Sequence, residues 1–233
     1  METVVRIEGA GKEYKNGDST IVALAPSTIA FNRGEVTLIV GPSGSGKTTL
    51  LSMLGCVIYP TVGNVWVDDI CVNRLSEMEL AKIRLNKIGF VFQGFNLLAP
   101  LNGLENVMQP LILRGESRKA AKEKSLSLIR KFDMESRMRN LPRNLSGGQQ
   151  QRIAVARALV TDPELILCDE PTASLDHKSA AMVMDMLRSL SRENRAVIIV
   201  THDLRLKKYA DRTIYVTEGM ISTTHPEEDA LQN

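Results

Sequence analysis

Apolar residues in this chain gather into short runs divided by turn signals, and the period of the pattern changes along its length. Residues 4–8, 21–24 and 36–40 read as strands, separated by Lys15-Asn16-Gly17-Asp18 and Asn32-Arg33-Gly34-Glu35. A helical stretch runs from Thr48 to Val57, followed by a strand at 63–67, a short helix at 76–85 and a strand at 88–92. From Asn106 to Asp133 the pattern is helical and charged, and residues 153–160 continue as a helix. Strand and helix then alternate: a strand at 165–168, an amphipathic helix at 178–191, and a buried strand at 196–200. Ala180, Val183, Met184 and Leu187 stand three or four apart, which puts them on one face of that helix. Strands divided by helices predict an α/β fold with a mostly parallel sheet covered on both faces. Residues 226–233 read as a frayed tail, and no internal repeat is present.

Composition narrows the classes. With 233 residues, 43% of them hydrophobic, the chain can bury a full core. Its 29 basic and 27 acidic residues leave a net charge of +2, which gives no strong case for a nucleic-acid partner, a local basic patch apart. Cys56, Cys71 and Cys168 are too few and too scattered for a zinc site or a disulfide framework. They suggest a reducing compartment, with Cys56 and Cys168 as small buried residues. The N-terminus lacks the basic and apolar regions of a signal peptide. The apolar runs stop far short of the ~20 residues that span a bilayer.

Gly41-Pro42-Ser43-Gly44-Ser45-Gly46-Lys47-Thr48 fills every position of the phosphate-binding loop G-x-x-x-x-G-K-[ST], between a strand and a helix as that motif requires. Glycine backbone permits successive N–H groups to curl around phosphates, and the helix that continues through Thr49 adds its dipole. Lys47 can reach the β- and γ-phosphates of a nucleoside triphosphate, and the Thr48 hydroxyl can ligate Mg²⁺. The strand at 165–168 ends in Asp169-Glu170. Carboxylates in such a place are costly unless they bind something, so Asp169 suits the Mg²⁺ shell and Glu170 a general base for the attacking water.

Leu145-Ser146-Gly147-Gly148-Gln149 decides the family. Ser146 and Gln149 have the spacing of a capping box, but a capping box does not need two glycines; at a helix start they expose N–H groups to an anion. Here the chain resembles the nucleotide-binding subunit of ATP-binding-cassette (ABC) transporters. The resemblance covers residues 4 to about 222. It implies a RecA-like P-loop core, 1–92 and 161–225, which includes an antiparallel β part, with an inserted helical subdomain at 93–160, all within one domain. It also implies a head-to-tail homodimer enclosing two ATP molecules, in which Leu145–Gln149 of one copy close over the γ-phosphate held by the other. By the same resemblance Gln93 senses Mg²⁺ and water, Tyr14 stacks on adenine, Asp176 belongs to the loop that communicates across the dimer, and His202 contacts the γ-phosphate. Asp176 also suits a helix N-cap.

Residues 51–56 and 84–111 resemble more narrowly the macrolide-exporter and lipoprotein-release group, whose ATPase drives a separate four-helix permease with a large extracytoplasmic domain. That places the chain at the cytoplasmic face of the inner or plasma membrane, held peripherally through the permease. Its length leads to the expectation that no appended C-terminal regulatory domain of the kind many importer ATPases carry is present. Ala173-Ser174 depart from the group's Gly-Asn, and Glu218-Gly219 from its Asp-Gly. A regulatory ATPase of a cell-division or cell-wall-hydrolase complex, and an importer ATPase, share the architecture. The basic helix around Lys119, Lys122, Lys124, Arg130 and Lys131 reads as a solvated face.

Overall fold

The structure is a computed structural model that describes residues 2–17 and 19–224; the expected tail at 226–233 lies outside them. In chain order the strands are β1 (Thr3–Asn16), β2 (Ser19–Asn32), β3 (Val36–Val40), β4 (Val62–Val67), β5 (Ile70–Cys71), β6 (Ile88–Phe92), β7 (Leu165–Asp169), β8 (Ala196–Thr201), β9 (Arg212–Thr217) and β10 (Met220–Ser222). The helices are α1 (Lys47–Leu54), α2 (Glu77–Lys87), α3 (Gly103–Leu113), α4 (Arg118–Lys131), α5 (Gly147–Leu159) and α6 (His177–Arg192).

Two sheets result. β2-β1-β4-β5 is antiparallel, and β10-β9-β3-β8-β7-β6 is parallel apart from its β10 edge. Every residue of β3 and β8 is buried, so these strands are apolar throughout rather than alternating. The pleat nevertheless divides them. Ile39, Leu165, Leu167, Ile198 and Val200 pack with Leu50, Met53 and Leu54 of α1 and with Ile7 and Phe31 of the antiparallel sheet. Leu38, Val40, Ile166, Cys168, Val197 and Ile199 pack on the other face, with Val107, Ile153, Val183 and Leu187 of α3, α5 and α6. Cys56 and Cys168 are buried as expected, and burial pushes the Cys56 thiol up to about 12.

Three local expectations change. The helical region at 106–133 is two helices: Gly115, at φ +89°, breaks it, the Ser117 hydroxyl accepts from Ala120 N to start α4, and an Asn102–Glu105 capping box starts α3 earlier. The strands expected at 4–8 and 21–24 extend to Asn16 and Asn32, because the hairpin pairs them along nearly their whole length despite polar residues and Pro26. β9 and β10, which the pattern did not single out, complete the sheet edge beside β3.

Register positions the chemistry. Val40 pairs with Thr201, Asp169 with Val200, and Phe92 with Asp169, so the C-terminal ends of β3, β6, β7 and β8 finish in line. The residues that follow those ends emerge together, in the crevice where open parallel sheets bind ligands.

Candidate functional site

Lys47, Thr48, Ser43, Gly44, Gln93, Asp169, Glu170 and His202 line one cavity of about 490 Å³. The loop above it is shaped by its surroundings as well as by its own sequence. A methyl at Gly41 would stand 2.0 Å from the Val216 carbonyl oxygen, and one at Gly46 would stand 2.3 Å from that of Ala23. Gly219 N–H donates to Ser45 O at 2.9 Å, so the β9–β10 turn and β2 brace the loop from outside. No side chain caps α1, and Gly46 itself is the N-cap at φ +107°; the first N–H groups of the helix are left for an anion. Lys47 is buried, its Nζ donates to Pro42 O at 2.6 Å, and burial lowers its pKa although Glu170 and Asp169 oppose this. Among the described residues the buried Ser45 hydroxyl has no hydrogen-bond partner.

Asp169 is pushed above the usual carboxylate range, by burial first and by Glu170 second, with Lys47 opposing. Two adjacent carboxylates in a partly desolvated cavity favour a cation, and together with the Thr48 hydroxyl and the Gln93 amide they form the hard oxygen donor set that Mg²⁺ takes. Glu170 holds a left-handed backbone at φ +47°, which costs a non-glycine residue on the order of 1 kcal/mol. Its carboxylate is fixed from the end of β8. Thr201 Oγ1 donates to Oε2 at 2.9 Å, while His202 N–H donates to Oε1 at 3.0 Å and the His202 ring nitrogen Nδ1 lies 2.6 Å from the same oxygen. Thr201 was not singled out in the sequence; its position one residue before His202 was the available signal. Gln151 was also missed. It is fully buried on α5 and donates to Pro171 O at 2.9 Å, immediately after Glu170.

Other expected residues stand elsewhere. Tyr14 is exposed on β1 opposite Ile21, with Lys12 Nζ 5.3 Å from its ring centroid, and it does not line the cavity. Pro42 and Thr49 flank the lining without joining it. Ser146 caps α5 through the expected capping box: Gln149 N donates to Ser146 Oγ, and Ser146 N to Gln149 Oε1. The glycines here have a packing reason too, since a methyl at Gly148 would lie 2.8 Å from Ser179 Oγ on α6. Asp176 caps α6, accepting from Lys178 N and Ser179 N. None of Leu145–Gln149, nor Asp176, lines the cavity of its own chain.

The sequence profile of the ABC transporter family matches residues 24–173. An uncharacterised ABC transporter ATP-binding protein of Methanocaldococcus jannaschii is 42% identical over 226 residues, covering 94% of this chain and 95% of the relative. The macrolide export ATP-binding/permease protein MacB of Agrobacterium fabrum is 39% identical over 220 residues; the match covers 94% of this chain but only 34% of that protein. The chain likewise spans 66% of the mycobacterial relatives it matches. A solved dimer of the same archaeal cassette, in a post-hydrolysis state bound to ADP and Pi, superposes with a TM-score of 0.87 at 41% identity, covering 94% of this chain and 96% of that one. Among the described residues no helix is long and apolar enough to cross a membrane.

Proposed function

This chain belongs to the ABC transporter family, as one of its ATP-binding ATPases, and from that premise we propose that it drives a separate membrane subunit by hydrolysing ATP as a head-to-tail dimer. The observation that carries the site assignment is the separation of two half-sites on one chain. Lys47, Gln93, Asp169, Glu170 and His202 share one cavity, while Ser146-Gly147-Gly148 lie outside it. An intramolecular site would leave the signature helix start without a role. A second copy placed head to tail brings that start over the open side of the cavity.

In this reading residues 41–49 cradle the phosphates, through the N–H groups of the residues after Pro42, and Tyr14 meets the adenine. Lys47 leaves Pro42 O for the β- and γ-phosphate oxygens. Thr48, Gln93 and Asp169 would hold Mg²⁺, which supplies charge neutralisation for the triphosphate when bound. Glu170, already fixed by Thr201 and His202, orients the attacking water and takes its proton. His202, once its hydrogen bond to Glu170 loosens, presents its ring to the leaving phosphoryl group. Catalysis is then positioning and electrostatics, with no covalent intermediate on the protein. Product release reopens the dimer, and Asp176 at the start of α6 carries the change to the other copy.

An apolar groove of about 590 Å³ beside Gln93, lined by Met78, Leu85, Phe90, Phe92, Leu113 and Arg157, is where the membrane subunit would sit. A peripheral protein held in this way stands on the cytoplasmic face, and the homology to the exporter MacB supports a permease of that type.

Replacing Glu170 by Gln tests the mechanism. The variant should bind ATP with unchanged affinity, hydrolyse it at least ~10³-fold more slowly, and elute from size exclusion as an ATP-dependent dimer. Phosphate release within a few-fold of the wild type would remove Glu170 from the chemistry.

A further inference from the structure

We propose that Arg157 on α5 is a positioning residue for the reaction: it fixes the turn that carries Gln93 and ties that turn to the helix whose other end is Ser146-Gly147-Gly148. The proposal rests on the reading of Gln93 as a metal-side residue.

The turn is explicit. Phe95 N–H donates to Phe92 O at 3.1 Å, which places Gln93 and Gly94 at the centre of a turn at the end of β6. The two residues after it are strained. Phe95 stands at φ +59° and Asn96 at φ +48°, and neither is a glycine. Left-handed backbone costs an L-residue about 1–2 kcal/mol, less for Asn, so a consecutive pair persists only when something outside holds it. Arg157 is that hold. Its Nη2 donates to Phe95 O at 3.0 Å and its Nη1 to Asn96 O at 2.6 Å, one nitrogen for each strained residue.

Among the described residues nothing else pairs with this guanidinium. Its partners there are the two carbonyl oxygens and no carboxylate, and desolvation lowers its pKa. A partly buried cation met only by carbonyl oxygens is an expensive way to fill space. A planar fork that reaches two carbonyls at once is the geometry arginine supplies and lysine does not.

The other end of α5 lies close to a side chain of the same turn. A methyl at Gly147 would lie 3.7 Å from Phe95 Cζ, so the ring of Phe95 reaches the signature end while its carbonyl is held from position 157. Along α5 those positions are separated by about 15 Å. A rigid helix hydrogen-bonded to this turn at one end and lying beside the Phe95 ring at the other moves Gln93 when it moves. Arg157 also lines the apolar groove beside Phe90 and Phe92, so an occupant of the groove would press on the clamp itself.

The test is metal affinity rather than turnover. Mn²⁺ is titrated into the full chain loaded with a non-hydrolysable ATP analogue, and free Mn²⁺ is followed by electron paramagnetic resonance. Gln93→Ala should weaken Mn²⁺ binding by on the order of tenfold. Arg157→Gln should weaken it by a similar factor and Arg157→Lys by less. The double variant Gln93→Ala/Arg157→Gln should be no weaker than Gln93→Ala alone, because both act through one amide. Metal-free binding of the analogue should stay unchanged in all of them. Wild-type Mn²⁺ affinity in both Arg157 variants, multiplicative losses in the double variant, or a parallel loss of metal-free nucleotide binding would each overturn the positioning role. Unchanged affinity in Gln93→Ala would overturn the reading of Gln93 and the proposal with it, an outcome distinct from the first three. If Arg157→Gln does not fold, the lysine variant carries the same comparison.

Discussion

Gly46→Ala separates the two reasons for a glycine in the phosphate loop. Gly46 stands at φ +107°, where an L side chain costs at least ~1–2 kcal/mol. Its added methyl would also lie 2.3 Å from Ala23 O, so β2 or the loop must yield by about 1 Å to restore contact distance. Forcing a methyl into packed surroundings costs a further ~1–3 kcal/mol, giving about 2–5 kcal/mol in all. Gly44 is the internal comparison. It also has positive φ, +76°, but a methyl there meets nothing within 4 Å, so Gly44→Ala should cost only ~1 kcal/mol. In a chain of this size each kcal/mol lowers Tm by about 2–4 °C. Thermal unfolding without nucleotide should therefore drop by roughly 4–20 °C in Gly46→Ala and by no more than ~4 °C in Gly44→Ala. If the steric part is relieved by the loop, its N–H groups leave the cradle. Affinity for a fluorescent ATP analogue in Gly46→Ala should then fall by on the order of ten- to a hundredfold, since ~1.4 kcal/mol is tenfold. Equal loss of stability in the two variants would refute the bracing of the loop by β2.

Ser146→Arg should abolish turnover while leaving nucleotide affinity of the separate subunit within about twofold, because Ser146 stands outside the cavity of its own chain; loss of binding would place the signature in the wrong half-site. Asn106 is fully buried and spends its amide on Leu98 N–H and on the carbonyls of Leu98, Leu101 and Asn102. Asn106→Leu should cost about 2–4 kcal/mol in chemical denaturation, and a cost below ~1 kcal/mol would show that water replaces those bonds freely. Asp176 is held below the usual carboxylate range, chiefly by the Ser179 hydroxyl and by the N–H groups at the start of α6. A depressed folded pKa gives stability that is present above the ordinary aspartate pKa and is lost as pH falls through the depressed value. Asp176→Asn, which keeps a capping oxygen, should flatten that acid limb of the stability profile; an unchanged limb would assign it to other carboxylates.

Much of the site was legible because its residues come in contiguous strings whose local chemistry is self-contained. The phosphate-loop motif is written in its own glycines and Lys47, and the capping box of Ser146 and Gln149 forms within one helix turn. The apolar runs gave β3, β7 and β8 because strands buried on both faces have no alternation to misread, and β6 because its half-buried face carries Phe90 and Phe92. Gly115 hid inside a charged helical pattern, since one left-handed residue scarcely disturbs hydrophobic periodicity but ends a helix. Thr201, Gln151 and Arg157 were illegible for another reason. Each acts through a bond to a residue 31, 20 or 61–62 positions away, to Glu170, Pro171, Asn96 or Phe95. By itself, then, the sequence determined the phosphate loop, the acids that end β7 and the caps of α5 and α6, all fixed by local backbone and side-chain chemistry. Tertiary structure alone decided that four strand ends finish in line, that β2 and the β9–β10 turn brace the loop, and that the signature lies outside its own cavity. Those are outcomes of register and packing between distant segments, which no local pattern encodes.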